Sequence, residues 1–331
     1  FPMTYRRITD QDQYNLVTND IVESVFQSWE WGEFKKQHGW RPVRYKAIDE
    51  STGADLFSFQ ILERRVFKFF YVLWIPGYSF KLKKDLSMLL SILNKNYKFY
   101  YLRMSMLQPI SHYDTFSVSK FLTRPYAYLT SGCTVHLDLK KENDEWLKSV
   151  TKKHRYYIRR SNKSNILWHF GQDDKLIDDF SVLLSEVEKK KNVGPLGYSK
   201  TSYYELKRLF KENQRILIGY IDERPVSGCI TIIHRNTAFY MSAATNKEGR
   251  SISAAYSMIY ELRLQLKNYK IEKFDFGGVD LNNSSANGVN HFKKGFGGDI
   301  VYSLGEWENK GWLLRFFGNL IVFFSKRSSV I

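Results

Sequence analysis

Phe274-Asp-Phe-Gly-Gly-Val279 is followed, after a polar loop, by Gly288-Val-Asn-His-Phe-Lys-Lys-Gly-Phe-Gly-Gly298. The first stretch reads as a short apolar strand closing on paired glycines. The second reads as a glycine-rich turn carrying Phe292, Lys293 and Lys294. Glycine accepts positive φ and lets another group approach the main chain closely. A lysine pair beside such a turn places cations where an anion can sit. The same residues also read as a strand, a loop and a tight turn with solvated lysines, and chemistry alone leaves both readings open.

The strand Lys273–Phe276 ends a longer pattern. Ile216–Ile221, Val226–Ile233 and Thr237–Ala243 read as strands, with a turn at Asp222–Pro225. Ala255, Met258, Ile259, Leu262 and Leu266 then mark a helix by their 3.6-residue spacing. An earlier stretch has the same order. Val43–Ile48, Leu56–Leu62 and Phe69–Ile75 read as strands, with a turn at Glu50–Ala54 and a stop at Pro76-Gly77; the helix Leu82–Leu93 and the strand Phe99–Met104 follow. Further helices are expected around Trp29–His38, Ile177–Lys191 and Ser202–Lys211. The pattern predicts two copies of a mixed αβ unit, with a boundary near Ser131–Thr134 ahead of the strand Val135–Leu139. No Gly/Ser linker separates the copies, so the expected site is a cleft between them.

Length and charge agree with this plan. The chain has 331 residues, enough for about two domains. Its 50 Lys and Arg against 34 Asp and Glu give a net charge of +16. That excess favours an anionic partner such as nucleic acid, an acidic membrane surface or a phosphorylated substrate. Cys133 and Cys229 stand alone in apolar surroundings, and the seven histidines lack metal-ligand spacing, so a reducing cytoplasm and no metal are expected. No basic-then-apolar leader opens the chain, and Met3 reads as the native start, with Phe1-Pro2 extraneous. The apolar run Trp312–Phe324 is interrupted by Arg315 and Asn319 and falls short of the roughly 20 residues a bilayer span needs. It reads as an amphipathic helix. It either packs on the protein's own core or touches a membrane surface, with Lys326 and Arg327 near the head groups.

Two further segments carry charge beside aromatic rings. Trp146–Lys163 fits a helix with Leu147, Val150, His154, Tyr157 and Ile158 on one face; Lys148, Lys152, Lys153, Arg155, Arg159, Arg160 and Lys163 cover the rest. This is either a solvated basic face or a surface that tracks the phosphates of RNA or an anionic lipid carrier. Phe26–Trp40 reads as a short helix in which Gln27, Trp31 and Lys35 share a face. Trp31 and Lys35 could hold a phosphorylated sugar, or Trp31 could be core with Lys35 snorkelling to water.

Together, Phe26–Trp40, Tyr71–Gly77, Trp146–Lys163 and Phe274–Gly298 resemble the Fem-type (Fem/ABX family) peptidoglycan-bridge aminoacyltransferases, in order and spacing across nearly the whole chain. The last segment is the most specific. The resemblance implies an α+β fold of two tandem GNAT-like domains: residues 1–134 plus a returning tail 301–331, and residues 135–300. It implies an enzyme that moves an amino acid from aminoacyl-tRNA to the stem peptide of a lipid-linked or UDP-linked muropeptide precursor. No cofactor is implied beyond aminoacyl-tRNA as co-substrate. The expected setting is a monomer in the cytoplasm, at the inner face of the membrane if it associates peripherally. Lys293 matches the family position beside the tRNA acceptor end, where it would serve catalysis. Phe292 would stack on the terminal base, beside Lys294. Lys152, Lys153, Arg155, Arg159 and Arg160 would contact the tRNA. Lys35 with Trp31, Tyr240, Tyr198 and Arg103 would bind the acceptor.

The chain departs from the family pattern in three places. No helical-hairpin arm interrupts the second domain. Met104-Ser105 follows Leu102-Arg103 where relatives often carry an acidic residue and proline. Lys190, Lys191 and Tyr198 stand where an arginine is usual. Two rival functions share the fold: acyl transfer from acyl-CoA or another carrier in polysaccharide, lipid or envelope modification, and non-catalytic binding of RNA or membrane. For the first, Asn246-Lys-Glu-Gly-Arg-Ser-Ile-Ser-Ala254 offers only a partial CoA pyrophosphate loop.

Overall fold

A computed structural model describes residues 3–18, 24–79, 83–191, 197–281 and 286–326. The chain divides into two compact units, Phe1–Gly132 with Tyr302–Ile331, and Cys133–Val301.

The first unit is built on strands β1 (Met3–Ile8), β2 (Arg41–Asp49), β3 (Asp55–Phe67), β4 (Phe70–Tyr78) and β5 (Phe99–Pro109). These neighbour one another in chain order. All pairs are antiparallel except β4 with β5, which the helix α3 (Lys83–Asn96) connects. Parallel neighbours require such a crossover. Phe59, Ile61, Leu73, Ile75, Leu89, Leu93, Leu102 and Met104 form its core. The 3₁₀ turn Val25–Gln27 and the helices α1 (Gln11–Thr18), α2 (Trp29–Lys36) and α4 (His112–Ser119) complete its first part.

Three local expectations are corrected here. The strand β4 does not stop at Pro76-Gly77 but runs to Tyr78. Its register against β5 shifts between Ile75 and Tyr78, where Gly77 takes φ +65°. Any other residue would be strained there, and a Cβ would stand 2.2 Å from Ser24 Oγ. Phe26–Trp40 is not one helix: Ser28 ends the 3₁₀ turn and caps α2, its Oγ accepting the Trp31 N–H at 3.2 Å. Gln27 therefore lies off the face of Trp31. Arg103 is not open to the surface as a substrate-binding side chain was expected to be. It is buried on β5, ion-paired to Glu306 at 3.4 Å and Glu308 at 3.7 Å, and it donates to the Ala127 carbonyl.

The second unit contains β7 (Cys133–Asp138), β8 (Leu167–Gly171), β9 (Gln214–Ile221), β10 (Arg224–His234), β11 (Thr237–Thr245) and β12 (Lys273–Gly278). Their order is β7-β12-β11-β10-β9-β8, and only β11 and β12 run parallel. The connecting helix α10 (Ala254–Asn268) buries Ala254, Met258, Leu262 and Leu266 at i, i+4, i+8 and i+12. Asp222 and Glu223, both at positive φ, make the tight β9–β10 hairpin. Helices α7 (Asp174–Lys191) and α8 (Lys200–Phe210) pack beside this sheet.

Trp146–Lys163 is likewise two helices, α5 (Asn143–Ser149) and α6 (Lys152–Ser161). Val150 leaves helical geometry with ψ 137°, and Thr151 caps α6 by accepting the His154 N–H. Phe292, Lys293 and Lys294 sit on the last turn of the helix α11 (Asn287–Lys294), not in a turn.

The remaining strands β6 (Leu122–Thr123) and β13 (Asp299–Asn309) pair at Glu308 and Asn309, and the helix α12 (Trp312–Lys326) follows. No helix of the described residues is long and apolar enough to cross a membrane. Phe1, Pro2, Leu82 and Arg327 lie outside the described residues, as do the side chains of Lys190, Lys191 and Lys326.

Candidate functional site

The parallel pair of the second unit is where its sheet opens. β11 and β12 are in register only from Thr237↔Lys273 to Phe239↔Asp275. Beyond that point β11 continues on β10, while β12 continues to Gly278 opposite Thr134 on β7. The two strands part after three pairs, leaving a wedge bounded by Tyr240 and Phe276. A bulge accompanies the opening: Ile230 opposes Ser242 and Thr231 opposes Tyr240, which leaves Met241 without a partner position. Bulges of this kind recur beside active sites, where they re-aim a side chain. In the first unit, by contrast, β4 and β5 stay paired from Phe70↔Phe99 to Ile75↔Met104 and again at Tyr78↔Met106.

Lys293 is aimed at this opening. Its Nζ donates to the Gly278 carbonyl at 2.8 Å and lies 3.9 Å from where a Gly277 Cβ would stand. Gly277 takes φ +74°, so the residue that turns β12 away is one that favours glycine. Partial burial lowers the Lys293 pKa, and the Asp275 carboxylate works against that fall. Asp275 faces His136 across the register, with Nε2 to Oδ2 at 3.3 Å. It also accepts from the Thr134 hydroxyl and, at 2.8 Å, from the Gly277 N–H. Burial pushes the Asp275 carboxyl up, but His136, Thr134 and the Gly277 amide outweigh it and hold the group below the usual carboxylate value. Asp275 is thus an anion that fixes the turn and balances Lys293.

Sequence reasoning missed His136 and Thr134. Their signal is the period-two run Cys133-Thr-Val-His-Leu-Asp138, whose odd positions are buried while Thr134 and His136 are half-buried.

The glycines of the second motif have a different use from the expected one. A Cβ at Gly295 would stand 2.0 Å from the His154 ring, one at Gly297 would stand 2.3 Å from Ser149 Oγ, and one at Gly298 would stand 2.6 Å from the His136 carbonyl. These glycines admit the protein's own backbone and side chains, not a ligand. His154 clamps α6 to α11: Nε2 bonds the Phe292 carbonyl at 3.0 Å and Nδ1 bonds Thr151 Oγ1 at 2.8 Å. Phe292 is half-buried against Tyr256 and Phe296, with ring centroids at 5.2 and 5.0 Å. Lys294 is exposed.

Of the five basic residues expected on α6, Lys152, Lys153 and Arg159 are exposed. Arg155 is folded back on α5, donating to the Val150 carbonyl at 2.5 Å and to Leu147 at 3.1 Å. It caps the end of that helix. Arg160 reaches the Ser251 carbonyl at 3.0 Å. Tyr240 packs edge-on against Phe274 and Phe276, and burial keeps its phenol protonated far above the usual range. Tyr198 donates its N–H to Tyr203 Oη at 3.1 Å, and Tyr203 in turn donates to Ser242 beside the bulge.

In the first unit, Lys35 is completely buried, so it does not snorkel. Its Nζ lies 5.1 Å from the centroid of Trp31, 5.5 Å from Trp74 and 6.0 Å from Phe34. Burial, assisted by the charge of Arg64, brings its pKa down to about 8.

Residues 220–311 match the model of the FemAB family; the stretch includes the opening strands, both glycine motifs and Lys293. In structure the chain is similar to FemX, with TM-score 0.80 at 14% identity over 96% of this chain and 99% of that one. It is also similar to a tandem GNAT protein from the clavulanic acid biosynthesis pathway, with TM-score 0.55 at 9% identity over 93% and 98% of the two chains. A third likeness is to L-PGS from Bacillus licheniformis, with TM-score 0.55 at 14% identity over 89% and 95%. At such identities these likenesses speak to the fold, which is α+β and tandem GNAT-like. No curated protein matches the sequence.

Proposed function

For this Fem-type chain, we propose an acyltransferase that moves an amino acid from aminoacyl-tRNA to an amine on the stem peptide of a peptidoglycan precursor. The observation that carries this reading is the Lys293 ammonium, held at Gly277–Gly278 where β11 and β12 part. An aminoacyl ester is already activated. Attack by an amine forms the C–N bond and places negative charge on the carbonyl oxygen; the ester C–O bond then breaks, and the ribose oxygen leaves as a hydroxyl carrying the proton the amine gives up. Such a reaction needs positioning and charge stabilisation more than a protein nucleophile. Lys293 supplies the charge, and Asp275 with His136 fixes the turn that presents it.

The donor side favours tRNA over CoA on one local feature. The partial pyrophosphate loop folds as the short helix α9 (Lys247–Ser251). Asn246 Oδ1 accepts the Gly249 N–H at 2.9 Å, and a Gly249 Cβ would stand 2.2 Å from the Val226 carbonyl. The glycine that could admit a pyrophosphate is thus pressed against the protein itself. Lys152, Lys153 and Arg159 instead offer exposed cations on α6, the helix that His154 ties to α11.

Aminoacyl-tRNA binding should therefore weaken steeply with added salt. The K152A/K153A/R159A variant should bind more weakly and lose roughly 2 from the slope of log affinity against log salt, at about 0.7–0.9 per phosphate contact. A filter-binding titration across salt measures both. An unchanged slope and affinity would reduce α6 to a solvated face.

A further inference from the structure

The faces of α12 are reversed relative to a core-packed helix. Arg315, Gly318 and Asn319 turn inward. Arg315 pairs with buried Glu308 at 2.6 Å and donates to the Arg124 carbonyl at 3.0 Å. Asn319 donates to Glu308 at 2.8 Å and accepts the Ala127 N–H at 3.2 Å. Gly318 lies so close to Tyr101 that a Cβ would stand 2.2 Å from its ring. Among the described side chains, five apolar ones point away from the unit: Trp312 is 74% exposed, Phe316 59%, Leu313 50%, Phe317 48% and Leu320 43%. The sequence offered core packing and membrane contact as alternatives, and the docked face turns out to be the polar one.

Other exposed rings lie near the helix. Lys310, just ahead of α12, donates to the Lys120 carbonyl at 2.8 Å. Lys120 Nζ lies 4.7 Å from the ring of Phe116, which is 64% exposed. The Arg315 guanidinium lies 4.0 Å from the ring of Tyr126, itself 66% exposed. Exposed apolar surface of this extent marks an interaction site. Charge identifies the partner. Along 309–320 and 116–128 the chain has no Asp or Glu, and the exposed cations there are Lys310 and Lys120, since Arg315 and Arg124 are turned inward onto Glu308 and the Leu304 carbonyl.

We propose that this face binds an anionic lipid bilayer. Trp312, Leu313, Phe316, Phe317 and Leu320 enter the boundary between head groups and acyl chains, and Lys120 and Lys310 meet the lipid phosphates. A second copy fits less well, because two such faces would oppose cations with no acids to pair them. The proposal is independent of the transfer chemistry and concerns where the protein works.

Flotation with vesicles tests it. The full chain should float with vesicles of phosphatidylglycerol and phosphatidylcholine in equal parts, and much less with phosphatidylcholine alone. W312S/F316S/F317S should lower the vesicle partition constant at least tenfold, while its thermal transition stays in place because the substituted side chains are exposed. K120E/K310E is a second variant that leaves α12 intact, and it should weaken binding to the anionic vesicles only. K152A/K153A/R159A should float as the parent does. Absence of flotation, flotation unchanged in both face variants, or flotation lost only on altering α6 would overturn the proposal. So would a concentration-dependent dimer in light scattering that W312S/F316S/F317S abolishes without any vesicle binding.

Discussion

Lys293→Met is expected to lower turnover in aminoacyl transfer on the order of 10²-fold, the scale of losing one oxyanion donor. The substitution keeps side-chain length and removes the cation beside Gly278. Negative charge grows on oxygen as the amine attacks, so the loss belongs mainly in kcat rather than in KM. Lys293 is half-buried and bonded to one carbonyl, so its removal should leave folding nearly unchanged. Lys294→Met is the internal control. That residue is exposed on the same helical turn and should cost far less. Steady-state kinetics on both variants decides the matter. Equal losses would mean that the pair acts as a diffuse phosphate patch, and normal turnover in Lys293→Met would remove its role.

Lys35→Met is expected to stabilise the protein near neutral pH while impairing use of the acceptor. The Lys35 pKa falls from 10.5 to about 8 on folding because the ammonium is enclosed by rings and lies near Arg64. Between those values the unfolded chain holds a proton that the folded chain has released. Stability therefore rises with pH from about 8 to about 10.5, and the penalty is fully present below about 8. At about 1.4 kcal/mol per tenfold change in proton affinity, a fall from 10.5 to about 8 makes that penalty at most roughly 3.5 kcal/mol. Methionine retains the packing between Trp31, Phe34 and Trp74 and removes the charge. Urea unfolding at pH 7 should show a gain of about 2–3 kcal/mol, and the alkaline rise should flatten. A destabilised variant, or an alkaline rise that persists, would contradict this account. A buried cation that costs stability points to a functional reason for keeping it. The same variant should accordingly show a raised KM for the acceptor.

Much of this was legible in the chain because the local signals agreed with one another. The runs Ile216–Ile221, Val226–Ile233 and Thr237–Ala243, with the turn at Asp222–Pro225, correspond to β9, β10 and β11 within a few residues, and the 3.6-residue spacing marks α10, whereas β1 and β8 were not read from the sequence. The errors share one cause: tertiary contacts decided what local pattern left open. Val150 and Thr151 break a run whose apolar spacing allows one long helix, because Thr151 must cap α6 where His154 meets α11. Pro76-Gly77 looks like a stop but is a bulge within β4. The glycines after Lys294 look like ligand space but make room for His154, Ser149 and β7. Arg103 looked available until Glu306 and Glu308, some two hundred residues away in sequence, enclosed it. His136 escaped notice because its meaning depends on register with Asp275, which no single segment encodes.

The most direct test is to supply the protein with a muropeptide precursor and either tRNA charged with a labelled amino acid or labelled acetyl-CoA. A pool of tRNAs charged with different amino acids leaves the transferred residue open to discovery. The expected result is label appearing in the precursor as an amide, from charged tRNA and not from acetyl-CoA, and sharply reduced in Lys293→Met. Label moving only from acetyl-CoA, or from neither donor although both tRNA and precursor bind, would contradict the proposed transfer.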